Sequence, residues 1–177
     1  MTSLPCKAAQ RTAHTTLAII VIALVLALAL TPAASRAQSA LIDDWARQCE
    51  EEGEFGGRCF IRQRLTLNAS GQMLFEIAAG SPLGGEYPLL LLSAPLGTYL
   101  PPGITIEVDD TGAYRAIVAY CNHDGCHAYY RMTPALYRLF RQGRWLNVSF
   151  LDGTRRTNRF QVSLKGFSAA IDSLSRP

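Results

Sequence analysis

No apolar run in this 177-residue chain reaches the roughly 20 residues that a helix needs to cross a bilayer. The longest, residues 17–30, has 14. Lys7 and Arg11 precede it, and Thr31, Pro32 and small residues up to Ala37 close it, which is the order of a secretory signal rather than of an anchor. Ser35 and Ala37 place cleavage after Ala37. Residues 1–37 therefore read as a cleaved signal peptide, and residues 38–177 as an exported protein with no transmembrane anchor. Cys6 is lost with the signal. Internal repeats, low-complexity tracts and Pro- or Ser-rich linkers are also absent, so nothing divides the exported part. About 140 residues suit a single domain that buries roughly two-thirds of its unfolded surface.

Catalytic signatures are missing as well. There is no Gly-x-Ser-x-Gly elbow and no His-Glu-x-x-His, Asp109 and Asp110 sit at a turn, and the pair His123–Asp124 lacks an identifiable nucleophile. No catalytic residue and no cofactor is assigned, and the chain reads as a non-enzymatic protein. An excess of charge is lacking too. The 17 basic and 14 acidic residues give +3, but Lys7, Arg11 and Arg36 leave with the signal, so 14 basic residues face 14 acidic ones. This removes the electrostatic case for a nucleic-acid partner.

Four cysteines remain behind the signal, as two close pairs, and an even number in an exported chain reads as a disulfide framework. Local pairing gives Cys49–Cys59 and Cys121–Cys126, although four cysteines allow three connectivities. Closing the two loops removes chain entropy worth about 3 and about 2 kcal/mol. Each bond would pin a local feature: the first an acidic, Gly-rich loop, the second a tight hairpin end. Thiol oxidoreductases place two residues between their cysteines, whereas four separate Cys121 from Cys126. A zinc set of Cys121, His123, Cys126 and His127 is the weaker alternative, because it is crowded into seven residues of an oxidising compartment.

Strands dominate the exported part. Residues 59–67 and 72–78 flank the turn cluster Asn68-Ala-Ser-Gly71 as a hairpin, and residues 89–92 form an all-apolar strand covered on both faces. Residues 104–109 and 114–121 form a second hairpin across an Asp-Thr-Gly turn, and residues 126–132 run back after Asn-His-Asp-Gly. Residues 145–151 and 159–164 form a third hairpin across Asp152-Gly153. Thr133-Pro134 opens a short helix over 133–142, and Phe167, Ala170, Ile171 and Leu174 share a face of another over 166–175. The expected fold is mainly β: an antiparallel sandwich or partly closed barrel with two short helices. Charge is unevenly placed. Six acids crowd residues 38–60, and Arg131, Arg138, Arg141, Arg144, Arg155, Arg156 and Arg159 face Asp152 alone. These arginines are either a cationic face for an anionic partner or a solvated helix and hairpin edge.

The ordered set Asp-Trp45 with Cys49, Arg-Cys59 with Gln63, Ala-Pro-Leu-Gly97, Leu-Pro-Pro-Gly103, Ile-Glu-Val-Asp109, Tyr120-Cys121, Gly125-Cys126-His-Ala128 and the closing Ser-Leu-Lys-Gly-Phe-Ser-Ala-Ala-Ile-Asp-Ser-Leu174 resembles the invasion-associated locus B (IalB) family of exported bacterial proteins. The likeness runs through essentially all of residues 38–177. It implies a small exported protein of the alphaproteobacterial type, periplasmic, secreted or at the cell surface, with the cysteines as structural positions and no catalytic residue to carry over. It also implies a role in envelope or host-cell interaction with an unknown surface partner. A periplasmic ligand-binding or accessory module is the alternative, and a hydrolase or redox enzyme a third reading.

Overall fold

A computed structural model describes residues 40–42, 44–50, 55–67, 70–81 and 86–175. The signal segment, its cleavage site, Cys6 and Glu51, Glu52 and Glu54 lie outside the described residues. Seven antiparallel strands form the larger sheet: β1 (Ala40–Ile42), β2 (Trp45–Cys49), β3 (Cys59–Thr66), β4 (Met73–Gly80), β5 (Leu89–Ala94), β9 (Val118–Asn122) and β10 (Gly125–Arg131). Their order is β1-β2-β3-β4-β5-β10-β9. The smaller sheet runs β12 (Thr157–Ser163), β11 (Trp145–Asp152), β7 (Ile104–Val108) and β8 (Thr111–Ala116), with the two-residue β6 (Thr98–Tyr99) also paired to β11. The sheets pack as a sandwich that is not closed into a barrel.

Alternation in the sequence decides which face each strand buries. Ile104, Ile106 and Val108 of β7 point inward with Thr105 and Glu107 between them, and Leu146, Val148 and Phe150 do the same on β11. They meet Ile61, Phe75, Ile77, Leu90 and Leu92 of the larger sheet in one continuous core. Each such side chain contributes about 1.5–3 kcal/mol by leaving water. Two helices, α1 (Pro134–Gln142) and α2 (Phe167–Ser173), close one end. Phe167 lies edge-on between Trp45 and Phe140, with 5.2 Å to each ring. Thr133 caps α1 by accepting the Leu136 N–H at 3.2 Å, a cap worth about 1 kcal/mol.

One local expectation changes, and strand β2 was not read from the sequence. The expected strand over residues 114–121 is two strands: β8 belongs to the smaller sheet, and after Ile117 the chain continues as β9 at the edge of the larger one. The crossing is tight because Gly103, at φ 72°, backs onto it so closely that a Cβ there would lie 2.3 Å from the Ala116 carbonyl oxygen. Residues 45–49 form strand β2. Its alternation is masked in the sequence because Trp45 alone is deeply buried along it.

Candidate functional site

Both disulfides form, and each joins directly opposed residues of neighbouring strands: Cys49 to Cys59 across β2–β3, and Cys121 to Cys126 across β9–β10. Cα separations of 3.9 and 4.0 Å fit non-hydrogen-bonded antiparallel pairs, where the side chains approach closest. The first bond closes the loop that carries Phe55 onto the outer face of the larger sheet. Phe55 from this loop is 3% exposed, stacks on Phe60 at 4.6 Å, and forms with Ala78 and Leu91 a second, smaller apolar cluster. Gly80 leaves room for it, since a Cβ there would come within 2.8 Å of the Phe55 ring. The second bond holds the tip that carries Asn122, His123 and Asp124.

Between these two braced walls lies a cavity of about 580 Å³ on the outer face of the larger sheet. Strand register builds its floor. Arg64, Glu76, Ser93, His127 and Tyr120 stand directly opposite one another on β3, β4, β5, β10 and β9, a polar row about 19 Å long at normal strand spacing. The adjacent row is Arg62, Ala78, Leu91 and Tyr129. Glu76 takes two guanidinium groups at one carboxylate oxygen, Arg64 Nε at 2.5 Å and Arg62 Nη1 at 3.4 Å. This corner therefore keeps spare N–H donors, and Glu50 adds a second carboxylate to the lining. Across the cavity, Asp124 lies 3.2 Å from His123.

His127, 9% exposed, is held from both ring nitrogens: Nδ1 lies 2.9 Å from Ser93 Oγ and Nε2 3.1 Å from Asn122 Oδ1. The same Asn122 oxygen accepts the Asp124 N–H at 2.9 Å. It is thus an acceptor facing the ring, so Nε2 carries the proton and Nδ1 accepts the Ser93 hydroxyl. Tyr120 packs against the imidazole at 4.9 Å. A serine, a base and an orienting amide are brought together here, which is the outline of a nucleophilic centre. Ser93, however, is 3% exposed and sits on a strand paired on both sides, where main-chain groups are committed to the ladders rather than aimed at a developing oxyanion.

Residues 45–175 match the family described as Invasion associated locus B (IalB) protein. The chain belongs to that family. Two invasion protein B homologs of Brucella abortus, from strain 2308 and from biovar 1 strain 9-941, are each 27% identical over 132 residues, covering 74% of this chain and 75% of theirs. The crystal structure of invasion associated protein B from Bartonella henselae shares the fold, with a TM-score of 0.67 at 17% identity over 78% of this chain and 96% of that one.

In this IalB-family chain the seven arginines read either as a cationic face or as a solvated edge lie in several places. Arg144 precedes β11 and Arg155 and Arg156 follow it, so the eight residues of that strand, about 26 Å, separate them. Arg138 and Arg141 lie on α1, and Arg141 is engaged bidentately by Asp172 at 2.7 and 2.9 Å, which raises its pKa above the ordinary guanidinium value. Arg131 ends β10 on the larger sheet. Arg155, Arg156 and Arg159 remain together at the β11–β12 end. The zinc alternative loses both sulfurs, since Cys121 and Cys126 are bonded to each other, and no group of three or more His, Cys, Asp or Glu among the described residues is placed to hold a metal ion. Ser93, Asn122, Arg62, Arg64, Glu76 and Phe55 were not legible as a site. They come from five separate segments, united by the register of the sheet and, for Phe55, by the loop that the Cys49–Cys59 bond closes.

Proposed function

We propose that this IalB-family chain acts outside the cytoplasm as a binding domain of the cell envelope or host interface, engaging its partner through the cavity between the two disulfide-braced walls. One observation carries the reading. Both covalent braces in the described structure flank the same cavity, and its floor presents donors and acceptors already held in place by one another. Prior ordering of that kind lowers the entropic cost of association. The family description and the names of the Brucella and Bartonella relatives support a role in invasion or surface interaction, and among the described residues no helix is long and apolar enough to cross a membrane. Action by binding rather than catalysis is part of the proposal.

A second reading, a small-molecule ligand, draws on the cavity's size, which falls within the roughly 300–1,000 Å³ of ordinary ligand pockets. Site-specific photocross-linking separates the two. A photoreactive residue at position 123, on the cavity rim, is expected to trap a discrete protein adduct in the native envelope, while one at position 161 on the opposite sheet does not. Equal labelling from both positions would remove the cavity as the contact. Absence of protein adducts, combined with a small molecule co-purifying with the wild type but not with Arg64→Glu, would select the second reading.

A further inference from the structure

A second surface lies at the far end of the sandwich from α1, where the β11–β12 turn meets the segment between β5 and β7. The turn is set by Asp152, whose Oδ1 accepts the Thr154 N–H at 2.8 Å, the Thr154 hydroxyl at 2.6 Å and the Arg156 N–H at 3.0 Å. Pairing of Leu151 with Tyr99 and of Asp152 with Thr98 lays the turn beside β6. Gly153 backs onto the Gly97 carbonyl, and Arg155 covers the Tyr99 ring at 5.1 Å. Leu96, adjoining this contact, is 59% exposed. Leu100, whose carbonyl accepts the Gly103 N–H, is 41% exposed, and Ile117, against which Gly103 packs, is 57% exposed. Three of the six exposed large hydrophobic side chains among the described residues thus gather at this one end.

Arginines surround them. On the outer face of the smaller sheet, register places Arg115, Thr105, Ser149 and Arg159 in one row across β8, β7, β11 and β12, two residues along β11 from Leu151. With Arg155 and Arg156 this makes four guanidiniums, faced by Asp152, 3.6 Å from Arg156, and by Glu107 in the next row of the same face of β7. Arg115 joins through strand pairing and could not be grouped with the others by sequence position.

We infer that this end is a docking surface for an anionic lipid bilayer. Exposed aliphatic side chains on turns enter the interfacial layer, while a ring of guanidiniums binds phosphate oxygens of the headgroups, and the two contributions add. A soluble polyanion would use the arginines and gain nothing from Leu96, Leu100 and Ile117; the exposed aliphatics decide for lipid. None of the residues of this surface lines the cavity.

Vesicle flotation tests the inference on the oxidised protein recovered from the exported fraction. Vesicles of phosphatidylethanolamine with one-quarter phosphatidylglycerol are expected to carry the protein up the gradient, and phosphatidylcholine vesicles are not. Arg155→Glu with Arg159→Glu should weaken partitioning at least about 30-fold, and Leu96→Asn with Leu100→Asn should weaken it too. Arg138→Glu with Arg144→Glu, at the opposite end, should change it little. Circular dichroism and the absence of reactive thiols verify that each variant is folded. Failure to bind the anionic vesicles overturns the inference, as does equal binding to phosphatidylcholine or full binding by the arginine variant. Loss in the arginine variant alone, with the leucine variant unchanged and heparin competing, assigns the surface to a soluble polyanion and also overturns it.

Discussion

The clearest energetic consequence of the site concerns Phe55 and the bond that carries it. The Cys49–Cys59 cross-link spans a sequence separation of 10, which is worth about 3 kcal/mol of chain entropy in the unfolded state. Phe55, 3% exposed on the outer sheet, should cost about 3 kcal/mol on truncation to alanine, the lower end for a buried phenylalanine because its cluster is small. Were the two independent, their effects would sum. They are not, because a loop without its bond must be ordered by the docking of Phe55 alone. Fixing each residue costs roughly 1–2 kcal/mol of backbone entropy, so a few residues cancel the gain from the ring. Phe55→Ala should therefore cost about 3 kcal/mol in the oxidised protein and under about 1 kcal/mol in a Cys49→Ser, Cys59→Ser background, a coupling of about 2 kcal/mol. Urea unfolding followed by the fluorescence of buried Trp45 measures all four corners of the cycle. Additivity within about 0.5 kcal/mol would refute the view that the bond and the ring act as one device.

Two further outcomes follow from the floor and from the turns. His127→Phe keeps a ring against Tyr120 but leaves the buried Ser93 hydroxyl without its acceptor, and should destabilise by about 1–3 kcal/mol; Ser93→Ala in that background should recover part of the loss, and a double variant less stable than His127→Phe would show that the pair is not the relevant contact. Asp109 accepts the N–H groups of Arg144 and Trp145, and Asp152 the Thr154 hydroxyl and the N–H groups of Thr154 and Arg156, so both carboxyls titrate below their ordinary value. Their contribution is complete above the unfolded value of roughly 3.9 and is lost as pH falls through the lower folded value. The melting temperature of the wild type should accordingly fall more steeply below about pH 4 than that of Asp109→Asn, Asp152→Asn, and superimposable acid limbs would count against this assignment.

What the sequence disclosed tracks the range of the interactions involved. The hairpins at 59–80 and 145–163 and both helices were legible because period, turn residues and caps are local signals, and Thr133-Pro134 announces α1 by the same acceptor that caps it in the structure. Ile117 was not legible as a corner. The strand pattern runs unbroken from Tyr114 to Cys121, and the break depends on Gly103, more than ten residues away, lying against the Ala116 carbonyl. Likewise residues 89–92 read as a strand buried on both faces, but that the outer cover of the observed strand Leu89–Ala94 is Phe55 from a disulfide loop is a tertiary fact. The arginine cluster shows the converse failure. Arg144 and Arg155 are near in sequence and are held apart by a strand, while Arg115 and Arg159 are far apart in sequence and share a row.

The two disulfides show why loop length alone undervalues a cross-link. Neither spans enough chain to dominate the stability of the fold, and on entropy alone the Cys121–Cys126 bond is the lesser, at about 2 kcal/mol. Its effect lies in position. Cys126 precedes His127 and Cys121 precedes Asn122, so one bond fixes both the base of the floor and the amide that sets its tautomer. Cys59 precedes Phe60 in the same way, and the other bond fixes the stacked wall. Reduction would therefore loosen the cavity before it unfolded the core, since the sandwich interior draws on neither loop. An oxidising compartment supplies the condition under which such a site keeps its shape.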